Sequence, residues 1–555
     1  MENLLQKCRL ESVPFSVWIL KAALRTNLYR SENMDKYYTA IDLFCGAGGF
    51  SRGFETAGIE VVAAYDWEEK FKETFNRNHK HPVFATADLS EGISGKFPPG
   101  SIDIVFGSPP CQGFSDARGN RDPKNADQFL RNTLPFAFVN VVNQVRPKVA
   151  LIENVAGMAT YRVKDGLFID KLRERFAEIG YAMTYQVLNS AQFGVPQERN
   201  RVFCLAIEQD FKVAPQLIHH DIEGVFSSPT KYVTVGDAIS DLPRNPVGSG
   251  ETCKYGVPVE TATAYQQLMR AENPNGQIQN HLIVAKPTEA ELQILHRLPE
   301  GKIYRSSRFG DRYVGVWELF ADLLTEDEKQ LLYFLCQKRT NTQFKEWNNT
   351  RYNEGFLREL KFSRDAQGRF AYPEQFPAKE PNPNRSPQDI LDSLVTKGWL
   401  RTQQFRDSTS DEEFVAYDIN STAGVRPMYM RLTRSKPART IMTTSFKVKE
   451  LVHPTEPRPL TLREGCRIQS FPDDFLFPDS KKDASTMIGN AVPPLMATEL
   501  GKFVSLLLNF LDDARNTEYL EVIQRQVANN KKPPRPKSPL VESAITLLNF
   551  LSRNK

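Results

Sequence analysis

A lone cysteine, Cys111, follows two prolines at the end of the largely apolar stretch 102–106, which is predicted to form a short buried strand. Each proline fixes its own φ and keeps the preceding residue out of the helical region, so the chain should leave this strand in an extended turn. Open α/β sheets place their ligands and chemistry beyond the carboxyl ends of their strands. The position is compatible with a nucleophilic thiol, but a single cysteine in such a loop is more often a buried structural residue, so the rest of the chain must decide between the two.

Two polar residues end a second predicted strand. Glu153 and Asn154 come directly after the apolar run 149–152. A carboxyl group held at a strand end is suited to donate a proton or a hydrogen bond to a bound substrate. A solvated or helix-capping glutamate is the simpler alternative, but a place on the same sheet edge as Cys111 favours the catalytic interpretation.

Three long polar side chains, Gln197, Arg199 and Arg201, alternate just before the predicted strand 202–206. Alternate residues of an extended segment point to one face, so we expect all three on the same side. Guanidinium groups on one face suit a planar polar ligand or a phosphate. A solvated run of charges is the alternative, but it does not account for the alternation.

A glycine-rich turn, 45–49 (Cys-Gly-Ala-Gly-Gly), follows the predicted strand 39–44 and leads into a helix. Glycines let the backbone approach a ligand closely, and the first turn of a helix offers free N–H groups. The next predicted strand, 59–65, ends in Asp66 and Trp67, which could hold a ribose hydroxyl pair and stack on an adenine. The pattern indicates a nucleoside-containing cofactor and does not separate NAD from S-adenosylmethionine.

The elements that must position these residues alternate between strands and helices. Such alternation predicts an α/β domain with a doubly wound, mostly parallel sheet of the Rossmann-like type. The further predicted elements are a strand ending near 87–89, a strand over 183–188, and helices over 132–144 and 165–179.

The composition narrows the class of protein. The 555 residues suffice for two or three domains, and a net charge of +4 is compatible with nucleic acid without arguing for it. Seven scattered cysteines argue against a disulfide framework or a zinc site and indicate a reducing compartment. No apolar run approaches the roughly 20 residues of a membrane span, so we expect a cytoplasmic protein without membrane contact, nucleoid-associated if it binds DNA.

Taken together, these motifs resemble those of the cytosine-C5 DNA methyltransferases. The resemblance covers about residues 37–245 and 428–510 and implies a Rossmann-like, S-adenosylmethionine-dependent methyltransferase domain. It also implies that the last motif returns to the cofactor site, so that the catalytic domain is split in sequence and continuous in space. The matching segments are Phe44 to Gly49, Pro110-Cys111, Glu153-Asn154-Val155, Gln197 to Arg201, Arg463-Glu464, Gln469 to Asp473 and Gly489 to Pro494.

The resemblance assigns roles residue by residue and implies no metal. The catalytic set is Cys111, Glu153, Arg199 and Arg201. Contacts to S-adenosylmethionine are expected at Phe44, Gly46, Gly48, Gly49, Asp66, Trp67, Asp88, Leu89, Pro109, Leu134, Asn490 and Val492. Contacts to DNA are expected at Gln112, Ser115, Arg118, Asn154 and Gln197, with the loop 115–125 closing over the duplex.

Five regions follow from the motifs and from the composition between them. The predicted catalytic domain comprises 36–245 and 429–515, and a target-recognition domain is inserted over 246–428. Within that insertion, 320–405 is similar to a winged-helix unit, with a helix starting at Ser386-Pro387. An extension, 1–35, precedes the catalytic domain, and a basic linker and helix, 516–555, follow it.

The implied function is methyl transfer from S-adenosylmethionine to C5 of a flipped-out cytosine in double-stranded DNA, by a monomeric modification enzyme of a restriction-modification system. A cognate restriction endonuclease is the implied functional partner. Two alternatives use the same fold, a tRNA cytosine-C5 methyltransferase and a non-catalytic DNA-binding regulator. An NAD-dependent oxidoreductase also fits the glycine turn, but it gives no reason for the loop around Cys111.

Overall fold

The computed structural model describes residues 37–80, 84–93, 97–110, 126–163, 166–208, 231–273, 276–304, 312–329, 331–332, 363–364, 370–371, 385, 387–406, 413–419 and 429–512. The predicted features 1–35, Cys111, the loop 115–125 and 516–555 lie outside these ranges.

The described residues form two compact units. The first contains the chain up to Leu282, the segment Ser435–Thr443 and the residues from Leu462 onward. The second contains Ile283–Arg434 and Thr444–Thr461. Residues 246–282, which the sequence assigns to the inserted domain, therefore lie in the first unit.

A seven-stranded sheet forms the centre of the first unit. Its strands lie in the order β3-β2-β1-β4-β5-β7-β6, and neighbours are parallel except where β7 pairs with β5 and β6. The predicted doubly wound, mostly parallel sheet is confirmed. The order reverses between β1 and β4, where sheets of this kind bind ligands at the carboxyl ends of their strands. The strands are β1 (Thr39–Leu43), β2 (Glu60–Asp66), β3 (Phe84–Thr86), β4 (Ile104–Gly107), β5 (Val149–Val155), β6 (Tyr181–Asn189) and β7 (Asn200–Glu208).

The helices of the first unit are α1 (Gly49–Thr56), α2 (Lys72–Asn78), α3 (Ala126–Val145), α4 (Phe168–Glu178), α5 (Val235–Ile239) and α6 (Ala264–Arg270). Three more follow the insertion, α10 (Leu462–Ile468), α11 (Lys481–Asn490) and α12 (Pro494–Asp512). Single helical turns cover Glu69–Phe71, Leu89–Glu91, Ala156–Thr160, Ser190–Phe193 and Val259–Thr261. Two-residue ladders pair Arg162–Val163 with Gly166–Leu167, Gln197–Glu198 with Ala438–Arg439, and Cys253–Lys254 with Gln277–Ile278.

The sheet is buried on both faces because its strands are almost wholly apolar. Alternate residues enter two separate cores, as Val105 joins one and Phe106 the other. The first core is closed by α3 and α4, and the second by α1 and α12. Gly107 is the last residue of β4, and it must be a glycine because a methyl group there would lie 2.0 Å from the Leu43 carbonyl oxygen. The adjacent ends of β1 and β4 are thus held in close contact.

One apolar stretch covers α11 and most of α12. Among the described residues, the stretch Lys481–Asn509 is long and apolar enough to cross a membrane by composition alone. Most of its apolar side chains are instead inside the second core, where Gly53 of α1 lies directly against Ala497. The buried stripe on α12 is Met496, Ala497, Leu500, Val504 and Leu508.

A buried charge cluster joins the two sequence-distant parts of the first unit. Arg467 of α10 donates to both carboxylate oxygens of Asp473 at 2.6 Å and to Asp241 at 3.1 Å. Arg270 of α6 donates to the same Asp241 through Nε at 2.8 Å. Because each charge is paired and hydrogen-bonded, the cluster offsets its own desolvation and holds α10 beside α5 and α6.

The second unit has its own core. Its helices are α7 (Glu289–Arg297), α8 (Val316–Leu319) and α9 (Pro387–Thr396), and residues 326–329 and 331–332 are also helical. The pairs Ile303–Tyr304, Tyr313–Val314, Met430–Arg431 and Leu451–Val452 form a small sheet. Hairpins pair Leu400–Arg406 with Glu413–Ile419 and Ser363–Arg364 with Phe370–Ala371. The helix expected after Ser386 is therefore present as α9, and the winged-helix comparison for 320–405 stays a prediction.

Glu328 lies at the centre of polar contacts in the second unit. Its side chain is fully buried and accepts hydrogen bonds from Ser393 at 2.6 Å, Lys397 at 2.7 Å and the Thr325 N–H at 2.9 Å. Arg385 donates to it at 3.1 Å. Burial alone would raise the pKa of Glu328, but these hydrogen bonds outweigh it and lower the pKa to about 2.

Candidate active site

The glycine turn joins β1 to α1 at the carboxyl edge of the sheet. Gly46 and Gly48 have φ values of +55° and +90°, and Phe44 also lies in the left-handed region at +59°. A methyl group added to Gly49 would lie 2.6 Å from the Val492 carbonyl oxygen. The turn therefore needs its glycines, and the late motif at Val492 packs directly against it.

Asp66, at the end of β2, holds the same turn. Its carboxylate accepts hydrogen bonds from the Gly46 and Glu68 N–H groups, each at 2.9 Å. Burial raises the pKa of Asp66, and these two hydrogen bonds partly offset the effect. The neighbouring Trp67 is 66% exposed, so its ring can stack on a ligand. The two residues lie together at one corner of the turn.

Asp42 in β1 is a functional candidate that the sequence patterns did not single out. It is buried, and its Oδ2 accepts a hydrogen bond from Ser51 of α1 at 2.6 Å. Burial raises the pKa of Asp42 well above its usual range, the Ser51 hydrogen bond lowers it, and the charge of Asp66 raises it further. The sequence signal that could have identified Asp42 is an acidic residue inside an otherwise apolar strand.

The other expected cofactor contacts lie on several elements of the first unit. Asp88 is exposed and accepts a hydrogen bond from the Ser90 N–H at 2.9 Å, which caps the turn that contains the buried Leu89. Of the remaining residues, Pro109 is buried after β4, Leu134 is half-buried on α3, and Asn490 is exposed at the end of α11.

Glu153 and Arg201 face each other across the antiparallel strands β5 and β7. Arg201 Nε lies 3.0 Å from Glu153 Oε1, and the two side chains are 15% and 8% exposed. Arg201 also donates to its neighbour's carbonyl, Asn200 O, at 2.7 Å. An arginine paired in this way fixes the direction of the carboxyl group while a small part of each stays open to a ligand.

Asn154 ties the end of β5 to the loop that leads to Cys111. Its Nδ2 donates to the Pro109 carbonyl at 3.1 Å, and its Oδ1 accepts from the Val155 N–H at 2.9 Å. The side chain is buried, because β4 and β5 are parallel neighbours and their ends meet. These contacts make Asn154 a support of the loop and give the expected DNA contact there no support.

Gln197 and Arg199 both hydrogen-bond to the backbone of Ile441. Gln197 Oε1 accepts from the Ile441 N–H at 2.7 Å, and Arg199 Nη1 donates to the Ile441 carbonyl at 2.9 Å. Arg199 Nη2 also donates to the Gly489 carbonyl at 3.3 Å. Both side chains are buried, so these contacts do not support a DNA contact at Gln197 or direct chemistry at Arg199.

The expectation that Arg201 shares the face of Gln197 and Arg199 needs correction. Gln197 and Arg199 both bond Ile441, whereas Arg201 bonds Glu153. The reason is that the segment is not one strand. Its first ladder, with Ala438–Arg439, ends at Glu198, and β7 begins only at Asn200.

Two groups of residues therefore meet at one sheet edge. The glycine turn and Asp66 follow β1 and β2, and Pro109, Glu153 and Asn154 follow or end β4 and β5. The first group suits a nucleoside, and the second offers a fixed carboxyl group beside the loop to Cys111. The expected residues Cys111, Gln112, Ser115 and Arg118 lie outside the described ranges.

Comparison with known proteins agrees with this arrangement. The family of C-5 cytosine-specific DNA methylases matches residues 38–505. The type II methyltransferase M.AgeI of Thalassovita gelatinovora is 28% identical over 493 residues, covering 84% of this chain and 99% of that protein. The type II methyltransferase M.DdeI of Desulfomicrobium norvegicum is 27% identical over 500 residues, covering 87% and 93%.

A solved structure gives the same result for the fold. It is a prophage-encoded protein from E. coli described as a DNA modification methyltransferase, with a TM-score of 0.51 and 18% identity. The likeness covers 85% of this chain and 99% of that one. With the family match extending over most of the sequence, the chain belongs to the C-5 cytosine-specific DNA methylases and is a DNA cytosine-C5 methyltransferase.

Proposed function

We propose that this enzyme transfers a methyl group from S-adenosylmethionine to C5 of a cytosine that is flipped out of a specific duplex sequence. The observation that carries the proposal is the Glu153–Arg201 pair, 3.0 Å apart, at the same sheet edge as the glycine turn. Asn154 adds the link from that pair to the loop of Cys111.

The residues around the glycine turn fit S-adenosylmethionine. Asp66 Oδ2 accepts one hydrogen bond from the Gly46 N–H, and Oδ1 accepts one from the Glu68 N–H. Each oxygen therefore keeps acceptor capacity for a ribose hydroxyl. Trp67 offers an exposed ring for adenine, and the first turn of α1 offers N–H groups to a carboxylate. When bound, the cofactor supplies an electrophilic methyl group on its sulfonium sulfur.

Cytosine C5 is a weak nucleophile, and in this proposal Cys111 activates it. The thiolate forms a bond to C6, and the ring's π electrons move so that C5 gains nucleophilic character. Glu153 enters this step as the neutral acid and transfers its proton to N3 as the thiolate adds, and Arg201 then pairs with the carboxylate that results. C5 then attacks the methyl carbon, and the bond from that carbon to the sulfonium sulfur breaks, leaving a neutral thioether. Water removes the C5 proton, the C5–C6 double bond re-forms with expulsion of Cys111 as a thiolate, and N3 returns its proton to Glu153.

Base flipping is required because C6 and N3 are shielded inside a stacked duplex. Extruding one nucleotide costs a few kcal/mol, which contacts in the pocket must offset. We assign recognition of the surrounding sequence to the second unit, the part of the chain without catalytic motifs. The type II relatives further support a role as the modification enzyme of a restriction-modification system, beside a cognate endonuclease. We further propose that the enzyme acts as a monomer on nucleoid DNA.

The test is transfer of tritiated methyl groups from S-adenosylmethionine to duplex DNA, with tRNA as the competing substrate. Transfer to DNA is expected, and transfer to tRNA alone would replace this proposal with the tRNA alternative. Bisulfite sequencing of DNA from an expressing host should show one fully modified sequence. Modification without sequence preference would contradict the restriction-modification role.

A further inference from the structure

We propose that His79, held by Glu55, is a positioning residue for the cofactor turn. His79 directly follows α2 and belongs to none of the motifs that define the active site. The inference rests on the proposed binding of S-adenosylmethionine at the turn 44–49.

The His79 ring is enclosed on every side that the structure describes. Its side chain has no exposed surface, and its Nδ1 lies 2.8 Å from Glu55 Oε2. The ring stacks on Phe75 with centroids 4.1 Å apart and planes 21° apart, and the Phe475 ring lies at 84° to it with centroids 6.1 Å apart. The imidazole therefore has one fixed orientation.

The free edge of this ring points at the glycine turn. A methyl group on Gly48 would lie 2.1 Å from His79 Nε2, so the Gly48 α-carbon is in direct contact with the imidazole. Nε2 has no hydrogen-bond partner among the described residues. It acts on the turn by contact, and Gly48 cannot carry a side chain there.

Gly48 is the residue through which such contact controls the turn. Its N–H donates to Cys45 O at 2.9 Å, and its carbonyl accepts from the Arg52 N–H at 2.8 Å. It also caps α1 in the left-handed region, with φ of +90°. Glu55 lies seven residues later on the same helical face, so one imidazole touches the start of α1 and bonds to its last turn.

His79 thus connects the two ends of α1, through its contact with Gly48 and its bond to Glu55. These two contacts fix the position of the glycine turn that precedes α1. Its removal leaves a cavity behind Gly48, into which the turn can relax. Cofactor affinity should fall, while turnover at saturating cofactor should persist, because Glu153 and Arg201 lie on other strands.

The experiment measures S-adenosylmethionine binding by calorimetry, with KM and kcat for DNA methylation, in the full chain. His79→Ala should raise Kd and KM about tenfold, since small displacements of a binding group have effects of this size or larger. His79→Phe keeps a ring against Gly48 and should recover most of the loss. In both variants kcat should stay within about twofold of the wild type.

Phe176→Leu is the matched control, because Phe176 of α4 is buried in the first core and its ring packs against Tyr181 of β6. It should lower the melting temperature and leave cofactor affinity unchanged. Wild-type affinity for S-adenosylmethionine in both His79→Ala and His79→Phe would overturn the positioning role of His79. An equal loss of affinity in Phe176→Leu would also overturn it. A wild-type protein that methylates DNA but does not bind S-adenosylmethionine would overturn the cofactor assignment and this inference with it.

Discussion

Arg201 and Glu153 form an ion pair of 3.0 Å across β5 and β7, at the edge of the sheet where the loop to Cys111 also emerges. Arg199, only two residues earlier, binds the carbonyl groups of Ile441 and Gly489 instead. Two arginines of one short motif thus have separate tasks. One pairs with a carboxyl group at the sheet edge that leads to Cys111, and the other hydrogen-bonds to two distant segments of the first unit.

Substitution of Arg201 should impair chemistry more than folding. Arg201→Ala leaves Glu153 without its partner, and we expect kcat to fall roughly 10²- to 10³-fold, as for loss of a preorganised electrostatic group. Arg201→Lys should recover only part of this, because an ammonium cannot reproduce the guanidinium geometry. Single-turnover methyl transfer measures both. Arg175→Lys, on the exposed face of α4, is the control, and an unchanged rate in Arg201→Ala would rule out this role.

Substitution of Arg199, in contrast, should impair folding stability more than the chemical step. Arg199→Ala removes hydrogen bonds to two buried carbonyls, each of which is left without a charged donor, so unfolding free energy should fall by about 2–4 kcal/mol. Urea denaturation measures the loss, with Gln197→Leu as a companion that weakens the same contact at Ile441. A fully stable but inactive Arg199→Ala enzyme would restore Arg199 to the catalytic set.

Asn154 should affect the rate through the loop it anchors. Asn154→Ala removes the hydrogen bond to Pro109 O, and Asn154→Asp places a carboxylate oxygen against that carbonyl. We expect kcat to fall about tenfold in the first variant and about 100-fold in the second, since misplacement of a reacting group has effects of this order. Asn140→Ala, on the exposed surface of α3, is the control. Equal rates for the two Asn154 variants would argue against the loop mechanism.

Glu328 gives the second unit a defined pH dependence. Its pKa is about 2 in the folded state against an ordinary value of 4.5, so the stabilisation it provides is present above pH 4.5 and is lost as the pH falls toward 2. The difference corresponds to a stabilisation on the order of 3 kcal/mol at neutral pH. Glu328→Gln should be less stable at pH 7, and its difference from the wild type should shrink below pH 4.5. Urea unfolding followed by tryptophan fluorescence measures this, since Trp317 and Trp399 pack in the same core. A difference that is constant with pH would contradict it.

Much of the fold could be predicted because buried parallel strands appear as apolar runs and glycines mark the turn between β1 and α1. The positions of Asp66 and Glu153 followed from the same logic, since Asp66 ends β2 and Glu153 lies in the last three residues of β5. The tasks of Arg199 and Gln197 could not be predicted, because their shared partner, Ile441, is more than 240 residues away in the chain.

Other features lacked a local signal altogether. His79 follows a short helix with no motif around it, and only the folded chain brings it against Gly48. The family resemblance placed Asn154 among the expected DNA contacts, whereas in the structure the parallel neighbour β4 brings the Pro109 carbonyl within its reach. In both cases a contact between segments distant in the chain, which the local sequence pattern does not specify, decides the environment of the side chain.

The most direct test of the central claim is covalent trapping with duplex DNA that carries 5-fluorocytosine at the sequence identified by bisulfite sequencing. Fluorine at C5 blocks the final elimination, so the enzyme should remain bound to C6 through Cys111. We predict a denaturation-resistant protein–DNA adduct that requires S-adenosylmethionine and is absent in Cys111→Ser. Methylation of ordinary DNA without any such adduct, or an adduct that persists in Cys111→Ser, would contradict the mechanism.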